Sequence, residues 1–379
     1  MHARQPKQEE QTNHLADRLR QRIRRSGPVT FHEWMTAALY DPVEGYYYRR
    51  DLTRWGRTGD YRTSPERSPL FAATFARYFA RLYEELGAPA RFTIVEGGAG
   101  AGHFAAGVLE TLRRDYPKIF AATRYVIDEA SNDATERARA TLNPFTERVE
   151  FQSFTKKEAP LGEAIVFANE LLDAFPVHRV TMRAGQLLEL CVGCDAAGGF
   201  VWVECEPSTP RLVDYLQRLQ VKLAEGQTAE INLEAVDWIA RVASILQRGF
   251  LIMVDYGAEA DELYNSNTRR SGTLRAFHQH QFADDVLAHP GQQDLTTTVD
   301  WTSIKNACAQ SGLQTVLFER QDRFLLQAGL LEELERLSAN ASSEAVAASL
   351  RVSARHMILP DAMSASFQVL VQKAMTDKI

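Results

Sequence analysis

The chain has 379 residues, 45% apolar and 24% charged, which is long enough for roughly two to three domain-sized units and too apolar for disorder. Its 43 basic and 49 acidic residues leave a net charge of -6, without the basic excess of a nucleic-acid binder, and no run approaches the ~18 consecutive apolar residues of a spanning helix. Four cysteines cannot supply a disulfide framework, and the first residues mix arginine with Glu9, Glu10 and Asp17 around no apolar signal core, so the expectation is a soluble, cytoplasmic protein with no membrane or nucleic-acid partner.

Along the chain, Leu15, Leu19 and Ile23 recur at a spacing of four, which predicts a surface helix. From Thr30 a helical pattern runs into the aromatic turn Asp41–Tyr48, and a second turn-rich stretch follows at Gly59–Glu66. These two stretches are expected to form a mobile lid. Ser64 and Pro65 fit the N-cap and first position of a helix around Leu70–Leu86. Between Arg91 and Asp255 short apolar runs alternate with helical ones, the pattern of βαβ units and a parallel sheet. Phe92–Glu96, Tyr125–Glu129, Val149–Phe154, Ala164–Ala168 and Phe250–Asp255 read as its strands, with Gln314–Phe318 and Phe367–Val371 completing seven. His178–Glu206 interrupts this rhythm with alternating, glycine-broken segments that read as an inserted antiparallel meander, placed to shape substrate access.

The strongest local signal is Ile94-Val95-Glu96-Gly97-Gly98-Ala99-Gly100-Ala101-Gly102, a strand that ends in an acid and opens into glycines before a helix. Glycine permits close approach of backbone to a ligand and accepts positive φ. Read as Gly100-x-Gly102-x-x-Ala105, the stretch also fits the dinucleotide fingerprint, so NAD or FAD is a rival cofactor. Glu96 opposes that rival. A carboxylate against a pyrophosphate is costly, whereas S-adenosylmethionine brings an ammonium and a sulfonium. The bland alternative is a turn required only for strand–helix packing.

Glu129 ends the second strand, where a carboxylate can accept from both ribose hydroxyls of an adenosine cofactor; Asp128 competes for the role because side chains alternate. Asn169, Glu170 and Asp173 lie at or just past the carboxyl end of the fourth strand, over the transferable group, and could hold a nitrogen nucleophile or merely cap a turn. Cys191-x-x-Cys194, with Cys205 and His178 nearby, lacks a second ligand pair and is rejected as a zinc site. His278, His280 and His289 lack ligand spacing and are expected in a polar loop, so no metal is expected. There is no G-x-S-x-G, Walker A lysine or H-E-x-x-H.

Taken together, several separated stretches resemble the MidA-like S-adenosylmethionine-dependent methyltransferases, a family that includes an arginine-methylating assembly factor of mitochondrial complex I. They are Tyr40-Asp41-Pro42 with Gly45-Tyr46-Tyr47, Gly59-Asp60 with Thr63-Ser64-Pro65-Glu66, the Glu96–Gly102 loop, Glu129-Ala130-Ser131, Ala168–Val177, Asp255-Tyr256-Gly257, Gly272-Thr273-Leu274-Arg275, and Pro290-Gly291 followed by Asp294-Leu295-Thr296 and Val299-Asp300. The loop departs from the family pattern at Gly97, Ala99, Ala101 and His103.

The resemblance implies an α/β class I methyltransferase (Rossmann-like) fold with a seven-stranded sheet. An N-terminal helical cap and lid would span 1–88, the core 89–177 and 233–379, and the inserted antiparallel substrate region 178–232. It further implies that Glu96, Gly98, Gly100 and Gly102 hold the methionine end of S-adenosyl-L-methionine and Glu129 its ribose. Asp60 and Ser64 would close over the cofactor, and Asn169, Glu170 and Asp173 would face a protein arginine. A small-molecule O- or N-methyltransferase, a non-catalytic cofactor-binding assembly factor and a homodimeric assembly stay open as alternatives.

Overall fold

Strand-forming runs with apolar residues on both faces need cover on both sides, and the chain supplies it with two helical layers. The computed structural model describes residues 14–49, 68–153, 160–278, 281–359 and 366–374. Its main sheet runs in the order Leu313–Arg320, Phe367–Ala374, Leu246–Ala258, Leu161–Asn169, Phe92–Gly97, Thr123–Asp128, Val149–Phe151. Phe367–Ala374 pairs antiparallel with both its neighbours and the other pairings on this path are parallel, so the seven expected strands are all present. An eighth, Val299–Asp300, adds in parallel to the carboxyl end of Leu246–Ala258.

The period of two decides which side chain meets which layer. Phe92, Ile94, Ile165, Phe167, Phe250 and Ile252 point into one core, under the helices Pro69–Glu85, His103–Asp115, Gln321–Ala328 and Glu344–Ile358. Val95, Val166, Ala168, Leu251 and Met253 point into the other, under Leu233–Ile245 and Trp301–Gln310. Pro69–Glu85 is buried along nearly its whole length, from Leu70 to Tyr83, and packs on the sheet rather than in the N-terminal segment. Its N-cap is Ser68, whose hydroxyl accepts from Leu70 N, with Pro69 at the first position; this Ser-Pro pair lies four residues beyond the expected one.

The insertion is the expected meander, His178–Arg183, Gln186–Cys194 and Phe200–Cys205. It recruits two strands that local patterning does not show. Thr228–Ile231 pairs with His178–Arg183, and Val29–Thr30 pairs with Cys191 and Val192, stitching the N-terminal helices His14–Ser26 and Phe31–Tyr40 to the insertion. Cys191 and Cys194 lie along one strand, and all four cysteines are free thiols. Among the described residues no group of three or more His, Cys, Asp or Glu is arranged to hold a metal ion.

Two loop expectations change. His278 ends a strand, Arg275–His278, paired with Gln281–Phe282 and Asp294–Thr296, and its Nδ1 lies 2.8 Å from the Gln292 carbonyl; His280 lies outside the described residues. Asp41–Tyr48, expected as half of a mobile lid, is a pinned turn. Asp41 Oδ1 accepts from Val43 N and Glu44 N, Arg18 pairs with Asp41 at 2.9 Å, and Tyr46 is completely buried. The other half of that lid, Gly59–Glu66 with Asp60 and Ser64, lies outside the described residues.

Candidate active site

A cavity of about 690 Å³ opens at the carboxyl ends of the strands Phe92–Gly97, Thr123–Asp128 and Leu161–Asn169, where an open α/β sheet places its ligand crevice. The glycine loop forms one end. Gly98 and Gly100 line it with φ of +69° and +53°, in the left-handed region that favours glycine. Gly102 behaves differently. It sits at the N-terminus of His103–Asp115 with its Cα against the neighbouring helix Asn132–Thr141, where an added Cβ would lie 3.1 Å from the Ala138 Cβ. Gly102 thus sets the helix crossing and does not line the cavity.

Glu129, just past the second strand, folds its carboxylate back on this loop. Oε2 accepts from Gly100 N at 2.9 Å and Oε1 from Ser131 N at 2.8 Å. A carboxylate offers about four lone-pair sites, so it can accept from several donors at once, as the two hydroxyls of a ribose require. Asp128 also lines the cavity, as does Ser131, whose hydroxyl caps the next helix at Ala134 N. Glu129→Ala should weaken binding of S-adenosylhomocysteine by about 1.5 to 3 kcal/mol, since it removes a charged acceptor and frees the Gly100 amide. Calorimetry on the folded variant measures this, and unchanged affinity would move the ribose role to Asp128.

Glu96 corrects a premise of the sequence argument. Its side chain is buried, and Tyr125 donates its hydroxyl to Oε2 at 2.7 Å. Burial pushes its carboxyl up to about 8, with the Tyr125 hydrogen bond opposing and the Glu129 charge adding. At neutral pH it is mainly the neutral acid, so it does not present a standing charge that repels a pyrophosphate. A cation set against it restores the carboxylate. Binding of a cationic ligand is therefore expected to release a proton, and affinity to rise with pH until about 8 and level off above. Calorimetry in buffers of different ionisation enthalpy counts that proton; Glu96→Gln should abolish it, and equal affinity across the range would take Glu96 out of ligand binding.

The other end of the cavity is built from the turn after Leu161–Asn169. Asn169 donates Nδ2–H to Glu170 Oε1 at 3.1 Å, and Glu170 N donates to the Val254 carbonyl. Glu170 has φ of +51°, an uncommon conformation for a residue with a Cβ, of the kind that clusters at functional sites. The turn is held by Asp255 Oδ2, which accepts from Leu172 N and Asp173 N, a role the strand pattern did not reveal. Asp173 is buried and lines the cavity, and its Oδ1 has no hydrogen-bond partner among the described residues. Burial raises its carboxyl, against the Tyr256 hydroxyl and the Arg275 guanidinium. Asn169, Glu170 and Asp173 are thus brought together at one end, and Glu96, Gly98, Gly100 and Glu129 at the other.

Further lining residues come from distant parts of the chain. Tyr40 arrives from the end of the helix Phe31–Tyr40, Tyr47 and Tyr48 from the turn that follows it, and Glu234 and Trp238 from the helix Leu233–Ile245. The Tyr40–Asp41–Pro42 and Gly45–Tyr46–Tyr47 motif was the available signal for the first group; nothing local marks the second.

A family described as "putative S-adenosyl-L-methionine-dependent methyltransferase" matches residues 74–319. The mitochondrial protein arginine methyltransferase NDUFAF7 homologue of Drosophila melanogaster is 28% identical, over 79% of this chain and 70% of its own length. NDUFAF7 of Homo sapiens, named a mitochondrial protein arginine methyltransferase, is 25% identical over 86% of this chain and 75% of its own length. A crystal structure of a superfamily member from Burkholderia thailandensis, bound to S-adenosyl-homocysteine, is 29% identical with a TM-score of 0.85, covering 96% of this chain and 92% of that one.

Proposed function

Since the chain belongs to the S-adenosyl-L-methionine-dependent methyltransferase family, we propose that it methylates an arginine side chain of a protein substrate, with Asn169, Glu170 and Asp173 serving the acceptor. In the same reading Glu96, Gly98, Gly100 and Glu129 hold the cofactor. The observation that carries this proposal is the cavity lining, which includes the carboxyls of Glu170 and Asp173 and the rings of Tyr40, Tyr47 and Phe175. A guanidinium is planar, permanently charged and rich in N–H donors, so it suits carboxylates set among aromatic faces. The arginine methyltransferases among its relatives support the same acceptor.

The cofactor fits the residues present, with glycines where its methionine end would approach backbone and the Glu129 carboxylate where its ribose would lie. When bound, it supplies a methyl group already activated on a sulfonium. The chain's own task is orientation, removal of water and handling of a proton. Asn169 holds Glu170 through its amide, so the Glu170 carboxylate is aimed rather than free to rotate. Glu170 draws the positive charge of the guanidinium toward itself and away from the attacking nitrogen. Asp173, with an oxygen unpartnered among the described residues and a carboxyl raised by burial, is suited to take the proton that nitrogen loses.

The test is transfer from labelled S-adenosyl-L-methionine into cell-lysate protein, with the modified residue located by mass spectrometry. Label on arginine is the expected result. Label only in a small molecule would overturn the protein reading, and tight cofactor binding without label anywhere would indicate a non-catalytic role.

A further inference from the structure

The helix Leu233–Ile245 places two side chains, one turn apart, on the cavity wall: Glu234 and Trp238. Asn232 fixes that helix to the acceptor turn. Its Oδ1 accepts from Ala235 N at 2.8 Å as the N-cap, and its Nδ2 donates to the Leu172 carbonyl at 2.9 Å. Trp238 stands at the junction of the two halves of the cavity. An added Cβ at Gly97 would lie 3.7 Å from its Cζ2, while its ring meets Phe175 at a centroid separation of 6.3 Å.

Glu234 lies nearer the opening, with its Oε2 3.7 Å from His32 Nε2. His32 is itself anchored. Its ring stacks on His178 at 4.8 Å, and His178 Nδ1 lies 2.7 Å from Oε1 of the buried Glu189, on the inserted sheet. The insertion therefore buttresses this wall through a stacked pair of imidazoles. Arg241, at 3.5 Å, also faces the Glu234 carboxylate.

We propose that Glu234 and Trp238 form the outer acceptor subsite and determine specificity for arginine, the indole taking the flat face of the guanidinium side chain and the carboxylate an N–H edge, across from Glu170. This inference rests on the protein-arginine reading. Neither residue contacts the reacting atoms, so they act on recognition and not on the chemical step. A lysine ammonium, a compact point charge without a planar face, gains less from such a pair.

The experiment uses the whole chain and a synthetic peptide spanning the arginine that the wild-type protein labels in lysate, with the same peptide carrying lysine as comparison. Glu234→Gln should raise KM for the arginine peptide about 10-fold or more, as for loss of a charge-assisted hydrogen bond. Trp238→Phe should raise it about two- to five-fold. Both should leave kcat and S-adenosylhomocysteine affinity within about twofold, and Glu234→Asp should recover part of the loss. A purely structural role would instead move cofactor affinity and melting temperature together with KM. Asp237→Asn, whose carboxylate pairs with Arg211 away from the cavity, should change nothing. An unchanged KM in folded Glu234→Gln would overturn the subsite while leaving arginine methylation standing. Failure of the wild-type protein to label any arginine would overturn both.

Discussion

Glu170→Gln should lower turnover by roughly 10² to 10⁴-fold while leaving cofactor affinity nearly unchanged. The substitution keeps the shape of the side chain and its strained left-handed backbone, and removes only the charge. Glu170 sits at the acceptor end, aimed by the Asn169 amide, on a turn tied to the neighbouring strand by Glu170 N donating to the Val254 carbonyl. Asp255 clamps the residues that follow, so the variant should fold with the same turn. If Glu170 localises charge on the guanidinium, its loss is felt in kcat and not in the binding of S-adenosylhomocysteine. A variant with full turnover would remove Glu170 from the chemistry and leave Asp173, the buried carboxyl beside it, as the next group to test with Asp173→Asn.

Phe167→Ala should cost about 3 to 5 kcal/mol of folding stability. Phe167 lies on the central strand Leu161–Asn169, completely buried, and stacks on Phe104 with a centroid distance of 4.3 Å and an interplanar angle of 11°. Phe75 and Phe79 close on its edges at 5.1 and 5.8 Å. Truncation leaves a void between the sheet and two helices, one of which follows the glycine loop, and those backbones cannot easily collapse into it. Denaturant unfolding read at the tryptophans measures the loss. Phe167→Leu, which fills most of the volume, should cost less than about 1.5 kcal/mol. Equal losses for the two variants would show that the ring contacts, and not the filled volume, carry the stability, and would overturn the void argument.

The two sites of largest expected effect, Phe167 and Glu170, are three residues apart, on one strand and the turn that follows it. That proximity follows from the fold. A strand buried on both faces fixes its own carboxyl end rigidly, and the polar residues at that end inherit the rigidity.

The sequence by itself determined the sheet and the location of the crevice. Apolar runs of strand length, separated by helical patterns, are local signals, so all seven strands and the meander were legible, as were the glycine loop, Glu129 and the Asn169–Glu170 strand tip. Side-chain period determined that Ile165 and Phe167 face one layer and Val166 the other. The tertiary structure alone decided what depends on neighbours from elsewhere in the chain. Val29–Thr30 becomes a strand only because Cys191 and Val192 offer it an edge. Gly102 serves helix packing because Ala138 crosses it. Glu96 is held mainly neutral because the surrounding core strips it of water, against the opposing Tyr125 hydrogen bond, an effect no spacing rule records. Glu234 and Trp238 read in sequence as an unremarkable helical turn, and become a cavity wall only where that helix docks beside the acceptor turn, opposite His32. Periodicity encodes which face a residue takes on its own element; desolvation, charge pairing and wall-sharing are set by which elements meet.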